Sequence, residues 1–380
     1  MGGGPTPVRR RHVAGRARSL RPPTPPLQDL PPRSPWRRIR DVIHRFAIWQ
    51  GWTSLTAVVT TLAAVGALWF TGQSLRATLE AGVTDRFQKA AELLGSDNID
   101  ARVAGIYLFE RLARDSPADH PVIFTVLTEF LRTSAAKTGC EQAERSSTKP
   151  APPDIRAVLT AIVRRDNSRD SDPLNLGYTC LTSGWLSNAS LVDASFYRAN
   201  LVDVSFLETD LSRAIFFEAN LSGATATLAN LPSASFVGAD LTYAVLAGAN
   251  LADANLGCGL VSLDAPPTCA NLTGVELDCV TGGDGWRRCA SLIDARLTGA
   301  NLASADLERA NLTGASLDCF QLPGQERCVN LTGANLAGAN LTGADLTGAD
   351  LTGADLTNIY YDSSTVWPAG FTPPPSRQDP

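Results

Sequence analysis

From Leu176 to Leu256 every fifth residue is Leu or Phe, with Ala226 the one exception. A period of five fits neither the 3.6 of a helix nor the 2.0 of a strand, so the repeating unit is a short segment stacked as a solenoid. Two residues before each of these positions stands a small one, Ala in most units, as at Ala194, Ala214, Ala234 and Ala254. Between the two stands Asn or Asp in many units, among them Asn200, Asp210, Asn220, Asn230, Asp240 and Asn250. The unit is therefore Ala-(Asn/Asp)-Leu-x-x, and the phase resumes at Leu272 and Leu277, from Leu292 to Leu317 and from Leu331 to Leu356, for 31 repeat centres. Leu and Ala both point into a narrow core, where a small side chain fits beside a large one. The Asn or Asp between them suits turn geometry and bonds local backbone.

On these residues the chain resembles the pentapeptide-repeat family, over about half of its 380 residues. The resemblance implies a mainly β fold, a right-handed quadrilateral β-helix in which four units make one square coil and residues 20 apart stack. The sequence supports that stacking independently: Phe196, Phe216 and Phe236 are spaced by 20, and the opposite wall runs Phe206, Ala226, Leu246. The solenoid is expected over 174–358, in about eight coils and on the order of 35–40 Å long at the spacing of stacked strands. Both ends need covers against edge-to-edge pairing. At the C-terminus, residues 359–380 are expected to form a cap and a frayed tail: the five-residue phase continues through Tyr361, Val366 and Phe371, with Trp367 and Pro368 closing the core, and Pro373, Pro374 and Pro375 belong to the frayed end.

The N-terminal third differs in kind. Residues 1–46 carry eleven Arg against two Asp with repeated Pro, a composition that buries no core and predicts a disordered basic tail. Between Arg45 and Arg76 there is no charged residue. The stretch 47–70 is apolar and, at 1.5 Å per residue, long enough to cross a hydrocarbon core of ~30 Å, with Trp49 and Trp52 at one end and Trp69 and Phe70 at the other. The preceding flank carries Arg33, Arg37, Arg38, Arg40 and Arg45, the following one Arg76, Arg86 and Lys89. This asymmetry predicts a single-pass cell-membrane protein with a cytoplasmic N-terminus and an extracytoplasmic C-terminal part.

Residues 71–133 predict a small α-helical module: an amphipathic stretch ended by Gly95, a helix from about Asp100 to Arg114 with Val103, Ile106, Phe109 and Leu112 on one face, and a third helix after Pro121. The string from Ala104 to Pro117 resembles the juxtamembrane module of membrane-anchored pentapeptide-repeat proteins of high-GC Gram-positive bacteria. Arg outnumbers Lys thirty to three, in keeping with such a genome. A polar linker, 134–153, leads to a helix over 154–166, capped by Asp154 and placed to cover the N-terminal opening of the solenoid.

All eight cysteines follow the span. Six form close pairs, Cys258 with Cys269, Cys279 with Cys289 and Cys319 with Cys328, each bracketing a break in the five-residue phase at equivalent corners of the repeat. Disulfide-pinched loops account for this placement with one rule, since two residues at one corner can reach cystine distance. Cys140 and Cys180 form a further candidate pair. Zinc is the competing reading, with free structural thiols the third. The gaps of eight to ten residues exceed zinc-ligand spacing, and His12, His44 and His120 all lie elsewhere.

No phosphate loop, zinc-protease helix or nucleophile elbow occurs, and His120, between Asp119 and Pro121, reads as a surface residue at a helix start. We therefore expect no enzyme activity and no catalytic, cofactor-binding or metal site. Residues 174–360 carry 19 Asp and Glu against 7 Arg. Some relatives are acidic rods that mimic DNA and bind DNA gyrase, which supplies an alternative, a cytoplasm-facing mimic. Seven of the acids, Asp210, Asp240, Glu276, Asp306, Asp345, Asp350 and Asp355, sit where the repeat itself favours Asn or Asp. The first expectation is thus a membrane-bound, non-enzymatic binding or scaffold surface for a protein partner, without nucleic acid.

Overall fold

The computed structural model describes residues 50–137, 151–260, 266–283, 285–322 and 325–377. The basic tail, Cys140 and the start of the expected span lie outside them. The chain divides into two units, Met1–Arg76 and Ala77–Pro380. Helix α1, Gln50–Leu94, runs through that boundary without a break, so the apolar span and the amphipathic stretch are turns of one helix rather than two elements. Its most apolar window is Ala57–Ser74, with a mean hydropathy of 1.2 and none of its residues buried.

In the second unit α2 (Ile99–Asp115), α3 (His120–Lys137) and α4 (Pro153–Arg164) pack around Ile106, Phe109, Leu112, Ile123, Leu127, Leu131, Val158 and Ile162. Asn98 caps α2, its side chain accepting from Asp100 and Ala101 N–H groups. Gly105 lets α2 lie against the backbone of α1, since a Cβ there would stand 2.8 Å from Leu94 N. α3 runs four residues into the expected linker. Asp154 is not the cap of α4: Pro152 holds that position without a side-chain bond, and Asp154, buried, accepts from Arg102 Nε at 2.8 Å.

The solenoid follows directly. Bridges join Asn175 to Ser195, Cys180 to Asn200, Trp185 to Ser205 and Ser190 to Asp210, all parallel, so four five-residue units complete a coil. We number the four faces 1 to 4 from these residues; on face 1 the register passes through eight coils to Asp345. Each centre donates its N–H to the next coil, Leu201 to Asn220 O and Leu221 to Asp240 O, both at 2.7 Å. The Asn and Asp side chains accept the N–H two residues on, as Asn220 from Ser222 and Asp240 from Thr242, both at 3.0 Å. The second corner residue is left-handed, for instance Glu208 at φ 54° and Gly343 at φ 68°, which is why Gly recurs there. Inside, Phe196, Phe216 and Phe236 stack with centroids 4.9 and 4.8 Å apart, while Phe206 meets the first two edge-on. The Leu centres are almost all fully buried, each contributing roughly 1.5–3 kcal/mol.

At the N-terminal end α4 abuts the first coil, and a Cβ on Gly184 would lie 3.1 Å from Leu159 Cδ1. At the other end the phase slips by one residue. Val366, expected inside, pairs outward with Asp345 and is half-exposed, and Trp367 takes the inward place between Tyr361 and Phe371. Three residues rather than two turn the preceding corner, with Thr365 buried and donating to Leu341 O at 2.8 Å. Pro373, Pro374 and Pro375, expected to fray, do not: Tyr361 Oη donates to Pro374 O and Arg377 N to Ile359 O, both at 2.8 Å, so the terminal segment folds back over the last coil.

Candidate functional site

Three hairpins leave the solenoid where the repeat breaks, and the stacking register survives each: Asp240 pairs with Asn271 and Asn255 with Arg296. In the first, β1 (Cys258–Gly259) pairs with β2 (Thr268–Cys269); in the second, β3 (Cys279–Thr281) with β4 (Arg287–Cys289); in the third, β5 (Cys319–Leu322) with β6 (Gln325–Cys328). The cysteines face each other at the base of each hairpin and are bonded as Cys258–Cys269, Cys279–Cys289 and Cys319–Cys328. Cys180 is also disulfide-bonded. Cys319, Glu326 and Cys328 bring ligand atoms within 4.8 Å of one another, but both sulfurs belong to the cystine and offer no thiolate.

The hairpins are not at one equivalent corner. The first and third leave after face 1 and the second after face 3, two units further along the coil, because the breaks follow Leu256, Leu277 and Leu317. The first and third adjoin over Gly299, where a Cβ would stand 2.6 Å from Cys258 Sγ and 3.0 Å from Phe320 Cβ.

The same edge carries Tyr178, Tyr197 and Phe217 in a file, ring centroids 5.2 and 5.6 Å apart, with the Arg198 guanidinium over Tyr197 and paired to Glu218. The five-residue pattern concealed this file, because its members sit at corner positions that vary from unit to unit. Trp185, on face 3, is 71% exposed. Charge is unevenly placed. Faces 2 and 3 and the corner between them hold Asp203, Asp240, Glu276, Asp306, Asp350 and Asp355 and no Arg or Lys among the described residues. On the edge bearing the second hairpin, burial and then the neighbouring Asp306 push the Asp278 carboxyl above its ordinary pKa. Hydrogen bonds from Thr352 hold Asp350 below its own.

His120 contradicts the surface reading: its ring is 2% exposed. The cause is the chain that follows α4, where Asp166, Arg169 and Asp170 fold over the start of α3. A cavity of about 220 Å³ beside the ring is lined by Glu110, Arg114, Arg164 and Arg169 among others, and cavities of about 330 and 270 Å³ flank the segment Asp170–Pro173. Burial lowers the His120 pKa, against the attraction of Asp170.

With this geometry in hand, the solenoid matches the family model of pentapeptide repeats, in eight copies over residues 186–216, 219–257, 290–322 and 327–359. Among solved structures, HetL, a pentapeptide repeat protein involved in heterocyst differentiation regulation in the cyanobacterium Nostoc sp. strain PCC 7120, is 28% identical. That alignment covers 53% of this chain and 92% of HetL, with a TM-score of 0.19. A pentapeptide repeat protein of the Arabidopsis thaliana thylakoid lumen is 29% identical over 27% of this chain and 68% of its own, with a TM-score of 0.20. Full-length QnrB1, a plasmid-mediated fluoroquinolone resistance protein, is 18% identical over 48% of this chain and 86% of its own, with a TM-score of 0.20. No curated protein matches the chain.

Proposed function

We propose that this pentapeptide-repeat protein is held in the cell membrane by the apolar part of α1, of the type seen in high-GC Gram-positive bacteria. Its N-terminus is cytoplasmic, and a right-handed square coil stands outside the cell as a non-enzymatic binding or scaffold surface. The observation that carries this reading is the window Ala57–Ser74, apolar and with none of its residues buried. An apolar helix without a protein cover is stable where lipid covers it. The cystines fit the same side, since they persist in an oxidising compartment. The partner is a protein that meets the exposed edges, and the acidic side formed by faces 2 and 3 favours one with a basic surface.

The alternative, a cytoplasm-facing DNA mimic acting on gyrase, draws on the acidity of the rod. The structure gives many of those acids a local task. Asp210, Asp240, Asp345, Asp350 and Asp355 each accept the N–H two residues on, so their charge accompanies a turn bond that Asn makes equally well. A reporter active only in the cytoplasm, fused after Asp355, tests the proposal. Silence is expected, and a bright signal would move the solenoid to the gyrase side.

A further inference from the structure

His120 is the first residue of α3, and its ring rests on Phe124, 4.7 Å between centroids. Its Nδ1 stands 3.5 Å from Asp170 Oδ1, and neither imidazole nitrogen nor that oxygen makes a hydrogen bond to the described residues. The other Asp170 oxygen accepts from Arg165 Nε at 2.8 Å. The Arg165 side chain is itself buried, and it donates to Ile162 O at 2.9 Å and to Ser190 O at 2.5 Å. Ser190 begins face 4 of the first coil. A line of contacts thus runs from α3 through Asp170 and Arg165 to the edge of the solenoid.

The charges around the ring come from every element packed on it. α2 supplies Glu110 and Arg114, α4 and its end supply Arg164 and Arg165, and the following turn supplies Asp166, Arg169 and Asp170. Of these, Asp170 and Asp166 favour a charge on the ring and Arg169 and Arg165 oppose it, two against two, with Asp170 the strongest. A protonated ring would add an unmatched positive charge, at a helix N-terminus whose dipole already repels cations. Asp170, the carboxylate within reach, is engaged by Arg165 through one oxygen only, and Asp166 is engaged by Arg169 at 2.8 Å.

We propose that His120 is a pH-sensitive latch between the helical module and the solenoid: gaining a proton frees the start of α3 from segment 165–170 while the coils stay closed. The neutral ring fits its buried slot, whereas the charged ring loses hydration there. Its folded pKa is therefore depressed, in line with burial as the dominant cause. A depressed histidine stabilises the closed latch fully above the open-state pKa of about 6.5. Below that pH the open state takes the proton first, and the opening constant rises by up to about tenfold per pH unit until the folded pKa is reached.

Hydrogen exchange of the full chain in detergent micelles at pH 7.5, 6.5 and 5.5, corrected for intrinsic rates, tests this. Residues 120–128 and 165–172 should open several-fold to tenfold more between pH 6.5 and 5.5, with residues 196–256 unchanged. His120→Gln, which fills the slot without titrating, should flatten the response. A flat wild type, or a variant that keeps the pH dependence, would overturn the proposal. The wild type also provides a readout that needs no variant to fold. It has three histidines, and ¹³C-histidine NMR should show one titrating clearly below about 6.5; all three at or above that value would equally refute the latch.

Discussion

Phe216→Ala removes the middle ring of the internal stack. The ring is fully buried, with parallel neighbours at 4.9 and 4.8 Å and the edge of Phe206 at 6.1 Å. Losing the buried ring costs about 2–3 kcal/mol in transfer free energy. The void adds roughly 2 kcal/mol at about 24 cal/mol per Å³ for a ring-sized cavity, because the neighbours cannot close in. They are held by the ladder, in which Phe216 N donates to Ser235 O at 2.7 Å and Ile215 N to Ala194 O at 2.9 Å. The expected loss is about 4–5 kcal/mol. Phe216→Leu installs the residue that Leu176, Leu256 and Leu297 place on the same wall and should cost only about 1–2 kcal/mol. Guanidinium unfolding of the full chain in micelles, followed by far-UV circular dichroism, measures both. A loss below about 1 kcal/mol for Phe216→Ala, or equal losses for the two variants, would refute the 20-residue stacking on which the estimate rests.

Asp154→Ala leaves Arg102 without its buried partner at 2.8 Å and should destabilise the helical module by about 3 kcal/mol, read as a lower thermal midpoint; an unchanged midpoint would show that the pair does not tie α2 to α4. Gly348→Ala places a Cβ 2.4 Å from Cys319 Sγ at φ 74° and should cost roughly 2 kcal/mol by the same denaturation assay, with no loss if that corner is not left-handed. Asp278 has a pKa raised in the folded state, so its carboxyl contributes stability that is complete below the unfolded value of about 3.9 and is lost as pH rises through the folded one. Asp278→Asn should therefore raise the thermal midpoint at pH 7 and leave it unchanged near pH 3, and a stabilisation equal at both would contradict the electrostatic cause.

Much of the solenoid was legible because one unit repeats. The Leu and Ala positions and the Phe stack follow from a period of five and a spacing of 20. What escaped depends on contacts that no period encodes. His120 stands beside Asp119 and Pro121 and looks like a surface residue, and it is the chain fifty residues later, Asp166 to Asp170, that buries it. Asp154 sits where a cap is common, yet a better use for its carboxylate lies on α2. The phase slip at Trp367 reflects one extra corner residue, invisible while Val366 keeps the count of five. The hairpin edges required counting the faces, because Leu256 and Leu317 lie on face 1 and Leu277 on face 3.

The cystines join the fold to its compartment, so their state in the cell tests the central claim most directly. The protein is taken from its own membrane with thiols blocked at lysis and mapped by non-reducing peptide mass spectrometry. An extracytoplasmic solenoid predicts three linked peptides, Cys258 to Cys269, Cys279 to Cys289 and Cys319 to Cys328, with no blocked thiol at any of the six. Recovery of all six as blocked thiols would place the solenoid in a reducing compartment and contradict the account.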